Sequence, residues 1–159
     1  MIVVDANVLA FYLIEGERTA DAHTLRDLDA EWIVPAFWCV EFQSILWKYA
    51  RFGGMPAERA LQVLDRAVDM LLPNELTPPA DVVLRDALNW KITVYDAQYV
   101  SLAKQMGIRC VTEDGPVQVA CPGLAVSLAD FIKGPSGSHV VRETRTEYRT
   151  TRRRKGGPG

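Results

Sequence analysis

Histidine and cysteine are scarce in this 159-residue chain, which contains two histidines and three cysteines. Cys39, Cys110 and Cys121 do not have the spacing of metal ligands, and we interpret them as reduced thiols of a cytosolic protein. The chain therefore has few residues that could bind zinc, and few histidines that could act in catalysis.

Long apolar segments are also absent. No run approaches the roughly 18 residues that a membrane span requires. The first acid, at position 5, comes too early for a signal peptide, so we expect a cytoplasmic protein without a membrane segment. With 48% hydrophobic and 24% charged residues, the length suits one globular domain rather than two.

Positive charge is sparse in residues 1–133. Seven of the 18 Lys and Arg residues lie in residues 134–159, beside only two of the 20 Asp and Glu residues. The first part is therefore acidic, which is unusual for a protein that binds nucleic acid through charge alone. Residues 134–159 lack the apolar residues of a core, and we expect a flexible basic tail, either native or an appended linker.

Apolar strands alternate with helical stretches along residues 1–133. The pattern predicts strands at residues 2–4, 32–35, 75–77, 108–111 and 124–126. Helices are predicted directly after the first strand and at residues 19–28, 36–52, 56–71, 81–90 and 95–106, with the third and fourth forming a helical hairpin. This alternation is typical of a three-layer α/β/α fold around a parallel sheet of four to five strands.

Glu41 lies within the helix predicted at residues 36–52. That helix carries an apolar stripe of Trp38, Phe42, Ile45, Tyr49 and Phe52. Glu41 falls on the same stripe and is expected to face inward. The alternative is a glutamate at the edge of the stripe that bends to solvent or pairs with Lys48.

Asp5 and Asp114 each follow a predicted strand. Ligands of parallel α/β folds bind beyond the carboxyl ends of the strands, which makes both positions suggestive. The alternative is that Asp5 or Asn7 caps the next helix. Taken alone, the Asp114-Gly115 dipeptide after Thr112 is more typical of a turn.

Asp96 is expected on the same helix face as Tyr99, Val100 and Ala103. An N-cap role is the alternative, because the residue lies where a helix begins. A reciprocal capping box starting at Asp96 is absent, since the third residue onward is Tyr99 rather than Glu or Gln.

Together, these four carboxylates interrupt or follow apolar stretches. Burying a carboxylate is costly unless a positive charge pairs with it. Oxygen ligands without cysteine or histidine favour Mg²⁺, with Mn²⁺ able to substitute. If the four acids converge, the sequence predicts a site for such a cation.

The ordered motifs VVDANVLA, an inward Glu41, VYDAQYVSLA and CVTED resemble the PIN domain, and most closely the toxin nucleases of VapBC-type toxin–antitoxin pairs. The resemblance covers about residues 1–133. It implies that Asp5, Glu41 and Asp96 are the core acids of a catalytic metal site and that Asp114 is the fourth, with Glu113 as its rival. Asn7 and Thr112 match polar positions that line such a site.

The resemblance also implies an activity and partners. The expected reaction is Mg²⁺- or Mn²⁺-dependent endoribonucleolytic hydrolysis of RNA, by in-line attack of an activated water and without a covalent protein intermediate. A cognate antitoxin and a homodimer are the expected protein partners.

Two other functions stay open on the sequence. A phosphohydrolase of the haloacid-dehalogenase type also begins with a strand ending in Asp, but it needs a second Asp where this chain has Asn7. It also needs a downstream Asp-Asp pair, which is absent. A catalytically silent PIN-like binding module is the other alternative, and metal binding distinguishes it from a nuclease.

Overall fold

The computed structural model describes residues 1–134, and its elements alternate between strand and helix as predicted. The predicted tail lies outside the described residues, except for Gly134. The elements are β1 (Ile2–Val4), α1 (Ala6–Leu13), α2 (Thr19–Leu28), β2 (Trp32–Pro35), α3 (Trp38–Phe52), α4 (Ala57–Leu71), a 3₁₀ turn (Leu72–Asn74), β3 (Glu75–Leu76), α5 (Ala80–Trp90), α6 (Val94–Met106), β4 (Cys110–Val111), α7 (Gly115–Ala120), β5 (Ala125–Val126) and α8 (Leu128–Lys133).

The five strands form one parallel sheet in the order β3-β2-β1-β4-β5. Strand β1 is central, and Val3 is in register with Ile33 of β2 and Cys110 of β4. All three residues of β1 are buried, which explains why its sequence is continuously apolar. The predicted α/β fold with a parallel sheet between helices is confirmed.

Helix α6 packs against β1, β2 and β4, with α5 lying against α6. Helices α1 to α4 form a second packed group, which contacts the sheet through α4 and β2. The predicted hairpin of α3 and α4 is present, and Gly54 in its turn has a φ of 71°, a conformation that favours glycine. The largest side chains of the core, Trp32, Trp38 and Phe42, are fully buried.

The predicted inward stripe of α3 is wrong at its carboxyl-terminal end. Tyr49 is 39% exposed and Phe52 is 73% exposed, whereas Leu46 is buried. The buried positions Trp38, Phe42 and Leu46 are spaced by four residues. A row of that spacing is inclined to the helix axis, so it moves away from the predicted stripe toward the end of the helix. The last turn of α3 extends past the core toward the hairpin turn, so its aromatic residues face solvent.

Helices α7 and α8 were not predicted. Asp114 begins α7 by accepting a hydrogen bond from the Val117 amide at 2.9 Å, and Ser127 begins α8 in the same way through the Asp130 amide at 3.0 Å. The interpretation of Asp114-Gly115 as a turn is therefore wrong. Each helix has six residues, too few for a periodic apolar pattern to show.

A bilayer-crossing helix would have to be long and almost wholly apolar. No helix within residues 1–134 meets both conditions.

Candidate active site

A single cavity of about 380 Å³ is lined by all four candidate acids, at the carboxyl ends of β1 and β4 and between α3 and α6. The Asp5 amide donates to the Val111 carbonyl at 3.1 Å, which holds the ends of the two strands together. All six residues that the sequence analysis assigned to the site line this cavity: Asp5, Asn7, Glu41, Asp96, Thr112 and Asp114.

Asp5 has two roles in the geometry of the site. One carboxylate oxygen accepts a hydrogen bond from the Val8 amide at 2.9 Å and so caps α1, as the alternative interpretation expected. The residue is 8% exposed and also lines the cavity. Burial raises the pKa of its carboxyl, while hydrogen bonds from Thr112 and from backbone amides oppose that rise.

Glu41 projects from α3 into the same cavity, where the Tyr99 hydroxyl donates a hydrogen bond to its carboxylate. Burial raises the pKa of Glu41, and the negative charges of Asp5 and Asp96 raise it further. The hydrogen bond from Tyr99 acts in the opposite direction. No ion pair joins Glu41 to Lys48 in the described part of the chain, so the solvent-facing alternative is wrong.

Asp96 is not the N-cap of α6; Thr93 is. The Thr93 hydroxyl oxygen accepts a hydrogen bond from the Asp96 amide at 3.1 Å and donates one to the Asp96 carboxylate at 2.6 Å. This pair resembles a capping box and fixes the orientation of Asp96 at the cavity. The sequence signal was available, because a threonine precedes an acid by three residues, but the helix was predicted to begin one residue too late.

Glu113 and Asp114 point to different parts of the structure. Arg18 Nη1 lies 3.0 Å from one Glu113 carboxylate oxygen, and the Leu128 amide donates to the other at 2.8 Å. Glu113 does not line the cavity, whereas Asp114 does. The Thr112 hydroxyl accepts a hydrogen bond from the Asp114 amide at 3.1 Å, which positions this corner of the site.

An aromatic pair at the cavity was missed by the sequence analysis. Phe37, directly before α3, stacks on Tyr95 of α6 with ring centroids 5.2 Å apart and an interplanar angle of 28°. Both residues line the cavity, and Tyr95 is 60% exposed. No pattern in the sequence indicated this contact, because it joins segments that are distant along the chain.

The donor set fits a hard divalent cation, since every candidate ligand is a carboxylate, amide or hydroxyl oxygen. Within residues 1–134, however, no three acids stand close enough to form a complete ligand group as they are. Small side-chain rotations or bridging waters would complete the group. Bridging waters suit Mg²⁺, because it retains several waters when bound to protein.

Comparison with known proteins adds to this geometry. The sequence model of the PIN domain matches residues 2–117. Ribonuclease VapC3 of Pyrobaculum aerophilum is 30% identical over 127 residues, which are 77% of this chain and 96% of that protein.

Solved structures show the same likeness. The crystal structure of PAE2754 from Pyrobaculum aerophilum has a TM-score of 0.67 and 26% identity, covering 83% of this chain and 93% of that one. A toxin–antitoxin complex from Klebsiella pneumoniae has a TM-score of 0.57 and 18% identity, covering 80% and 98%. At that identity the likeness to the complex is one of fold.

Proposed function

The chain belongs to the PIN domain family, and on that premise we propose that it is a metal-dependent endoribonuclease, the toxin of a toxin–antitoxin pair. The observation that carries the proposal is the convergence of four carboxylates from four segments on one cavity. The haloacid-dehalogenase alternative is set aside, because the family match and the fold are those of PIN proteins.

In this proposal Asp5, Glu41, Asp96 and Asp114 hold Mg²⁺ or Mn²⁺, directly or through water. A cation bound there would lower the pKa of a water molecule and would compensate the charge that develops on the phosphate. The chain's contribution is to orient its carboxylates: Tyr99 holds Glu41, and Thr93 holds Asp96.

Covalent catalysis by a thiol is disfavoured in this cavity. Its one thiol among the described residues is Cys110, and burial raises the pKa of that thiol well above its ordinary value. The negative charge of Asp5 acts in the same direction. A protonated, buried thiol is a poor nucleophile, so Cys110 is not a candidate for covalent catalysis.

The partners belong to the same proposal. RNA is the proposed substrate because a relative that covers most of this chain is a ribonuclease. An antitoxin is the proposed protein partner because the fold is shared with a toxin–antitoxin complex. The cytoplasmic location expected from the composition and the homodimer expected from the resemblance stay predictions.

A cleavage assay tests the proposed reaction. We expect single-stranded RNA to be cut with Mg²⁺ or Mn²⁺ and to survive with chelator, and a circular RNA to be opened, as an endonuclease requires. Asp5→Asn and Asp96→Asn should each lower the rate by about 100-fold or more, the order lost with one preorganised charged group. Asp65→Asn, an exposed acid of α4, is the matched control and should be unchanged. Full activity in the first two variants, purified identically, would refute the assignment.

A catalytically silent binding module is the second candidate. Two observations favour it: Asp5 and Asp114 have structural roles as helix caps, and no three acids within residues 1–134 form a ready ligand group. Calorimetric titration with Mn²⁺ separates the two functions. Binding that is lost in Asp96→Asn supports the nuclease, and no detectable binding to the wild-type chain supports the silent module.

A further inference from the structure

We propose that Tyr95, backed by Phe37, is a substrate-binding residue on which an unpaired base next to the cleaved phosphate stacks. The inference rests on the proposed nuclease function and names a residue of the chain that binds the substrate. It assigns Tyr95, the stacking platform, to substrate binding and Phe37 to positioning.

The first argument is the arrangement of the two rings. Phe37 stacks on Tyr95 at 5.2 Å between centroids, so one face of the tyrosine ring is covered. Tyr95 is nevertheless 60% exposed. The ring edge and the face opposite Phe37 are left to supply that exposure, and this face offers a flat apolar surface at the cavity. Such a surface is what a nucleobase needs for stacking.

The second argument is the position of the pair relative to the acids. Tyr95 is the chain neighbour of Asp96, and Phe37 precedes Glu41 by four residues, which is about one helical turn. All four side chains line one cavity. A phosphodiester held at the carboxylates would therefore carry its flanking base toward the exposed face of Tyr95.

The third argument is the shortage of positive charge. Lys48 lines the cavity and has no carboxylate partner within residues 1–134, so it is free to contact a phosphate. A single lysine among four acids gives weak electrostatic attraction, because affinity for a nucleic acid backbone grows with the number of phosphates that are neutralised. Base stacking supplies affinity that does not depend on net charge.

These observations select against a duplex. The faces of the bases are covered by their neighbours in a double helix, so only an unpaired and unstacked base can lie on Tyr95. A strand that is locally open next to the cleaved phosphate meets this requirement, whether it comes from a linear RNA or from a loop.

Equilibrium binding tests the platform. The full chain carrying Asp5→Asn is titrated, with Mn²⁺ present, into a short fluorescent RNA without self-complementarity. In this background Tyr95→Ala should weaken binding by roughly 5- to 150-fold, the effect of losing one stacked base, and Tyr95→Phe by no more than about twofold. Tyr49→Ala is the matched control, because Tyr49 is an exposed tyrosine of α3 that does not line the cavity. It should bind like the parent.

A scan with abasic nucleotides identifies the contact itself. At one position an abasic nucleotide should weaken binding to the parent, and Tyr95→Ala should then cause little further loss. The same RNA annealed to its complement should bind weakly and be insensitive to Tyr95→Ala. Three results would each overturn the platform. Tyr95→Ala and the abasic nucleotide could lower affinity additively at every position, Tyr95→Ala and Tyr49→Ala could lower affinity equally, or Tyr95→Ala could lower affinity for the duplex as much as for the single strand.

Failure of the platform and failure of the proposed nuclease are distinguishable. If the wild-type chain cleaves RNA with a divalent cation while Tyr95→Ala leaves both binding and cleavage unchanged, the platform alone is wrong. If the wild-type chain cleaves no RNA, the nuclease proposal fails whatever the binding result. Thermal unfolding of each variant, which should match the parent because Tyr95 is exposed, excludes loss of the fold as the cause.

Discussion

The hydroxyl of Tyr99 on α6 donates a hydrogen bond to the carboxylate of Glu41 on α3, and this contact links two helices at the cavity. Tyr99 is 4% exposed. Burial and the negative charge of Glu41 raise the pKa of the Tyr99 hydroxyl far above its ordinary value, so it stays a donor throughout the working pH range. Glu41 is therefore held in one orientation before any substrate arrives.

Replacing Tyr99 by Phe should change both stability and pH dependence. We expect the free energy of unfolding to fall by about 1.5–3 kcal/mol, the order lost with a hydrogen bond to a charged group. The hydrogen bond lowers the pKa of Glu41, so its removal should raise that pKa. The acidic limb of the cleavage rate should then move to higher pH. A pH–rate profile of Tyr99→Phe measures the shift, and an unmoved limb would show that ionised Glu41 is not required.

Stability without divalent cation should depend on pH through Asp5 and Glu41. The pKa values of both carboxyls are raised from their ordinary values of 3.8 and 4.5. The folded state therefore binds these protons more tightly than the unfolded state does. The resulting stabilisation is fully present below the ordinary values and is lost as pH rises through the raised ones.

Glu41→Gln removes one of these two groups and is expected to reduce the loss of stability between acidic and neutral pH. Chemical denaturation in chelator at several pH values measures the slope. With Mn²⁺ added, the stability of the wild-type chain should instead rise between acidic and neutral pH, because only ionised carboxylates bind the cation. An identical slope in wild type and Glu41→Gln would contradict this account.

Thr93→Ala should lower both the stability of the fold and the affinity of the candidate site for Mn²⁺. Losing this N-cap should lower the free energy of unfolding by about 1 kcal/mol, and freeing the Asp96 side chain should lower Mn²⁺ affinity by roughly 10- to 100-fold. Ser127→Ala is the matched control, because Ser127 makes the same two hydrogen bonds with Asp130 in α8 and does not line the cavity. We expect a similar loss of stability there without a change in Mn²⁺ affinity. Equal Mn²⁺ affinities of the two variants would contradict the proposed role of Thr93 in orienting Asp96 toward the metal.

Neighbouring acids should respond differently to neutralisation. Asp114→Asn keeps the cap of α7, because asparagine is an equally good N-cap, but it removes a charge from the cavity. We expect cleavage to fall by about tenfold or more with the midpoint of unfolding nearly unchanged. Glu113→Gln should keep its cleavage rate and lose less than about 1 kcal/mol, since the pair with Arg18 is partly exposed. The reverse ranking in the cleavage assay would make Glu113 the fourth acid.

Much of the fold was predictable because its central strands are buried on both faces. Continuous apolar runs identified β1 and β2 with the bounds that the structure has, and the bounds of α2 also agree. The inward face of α3 was not predictable to the last turn, since the pattern does not reveal where the core ends. Helix α7 was hidden by a dipeptide that is typical of turns as well as of helix starts.

The convergence of the acids on one cavity was predictable where topology alone decides position. Asp5 and Asp114 follow strands that turned out to be neighbours, and a parallel sheet brings such ends together at one edge. The partners of the acids were not predictable in the same way. Tyr99 was expected only to share a helix face with Asp96, and its contact with Glu41 depends on the relative placement of α3 and α6. That placement is set by tertiary packing, which a single sequence does not specify.

The helix caps have a consequence for how such chains diverge. Asp5 and Asp114 each start a helix, so a descendant that lost its enzymatic role would still be under selection to retain an aspartate or asparagine there. Glu41 is not a helix cap, and its negative charge is destabilising once a cation is no longer bound. In homologues that have lost activity, we therefore expect position 41 to be substituted first. The presence of Asp5 and Asp114 alone does not indicate an active nuclease.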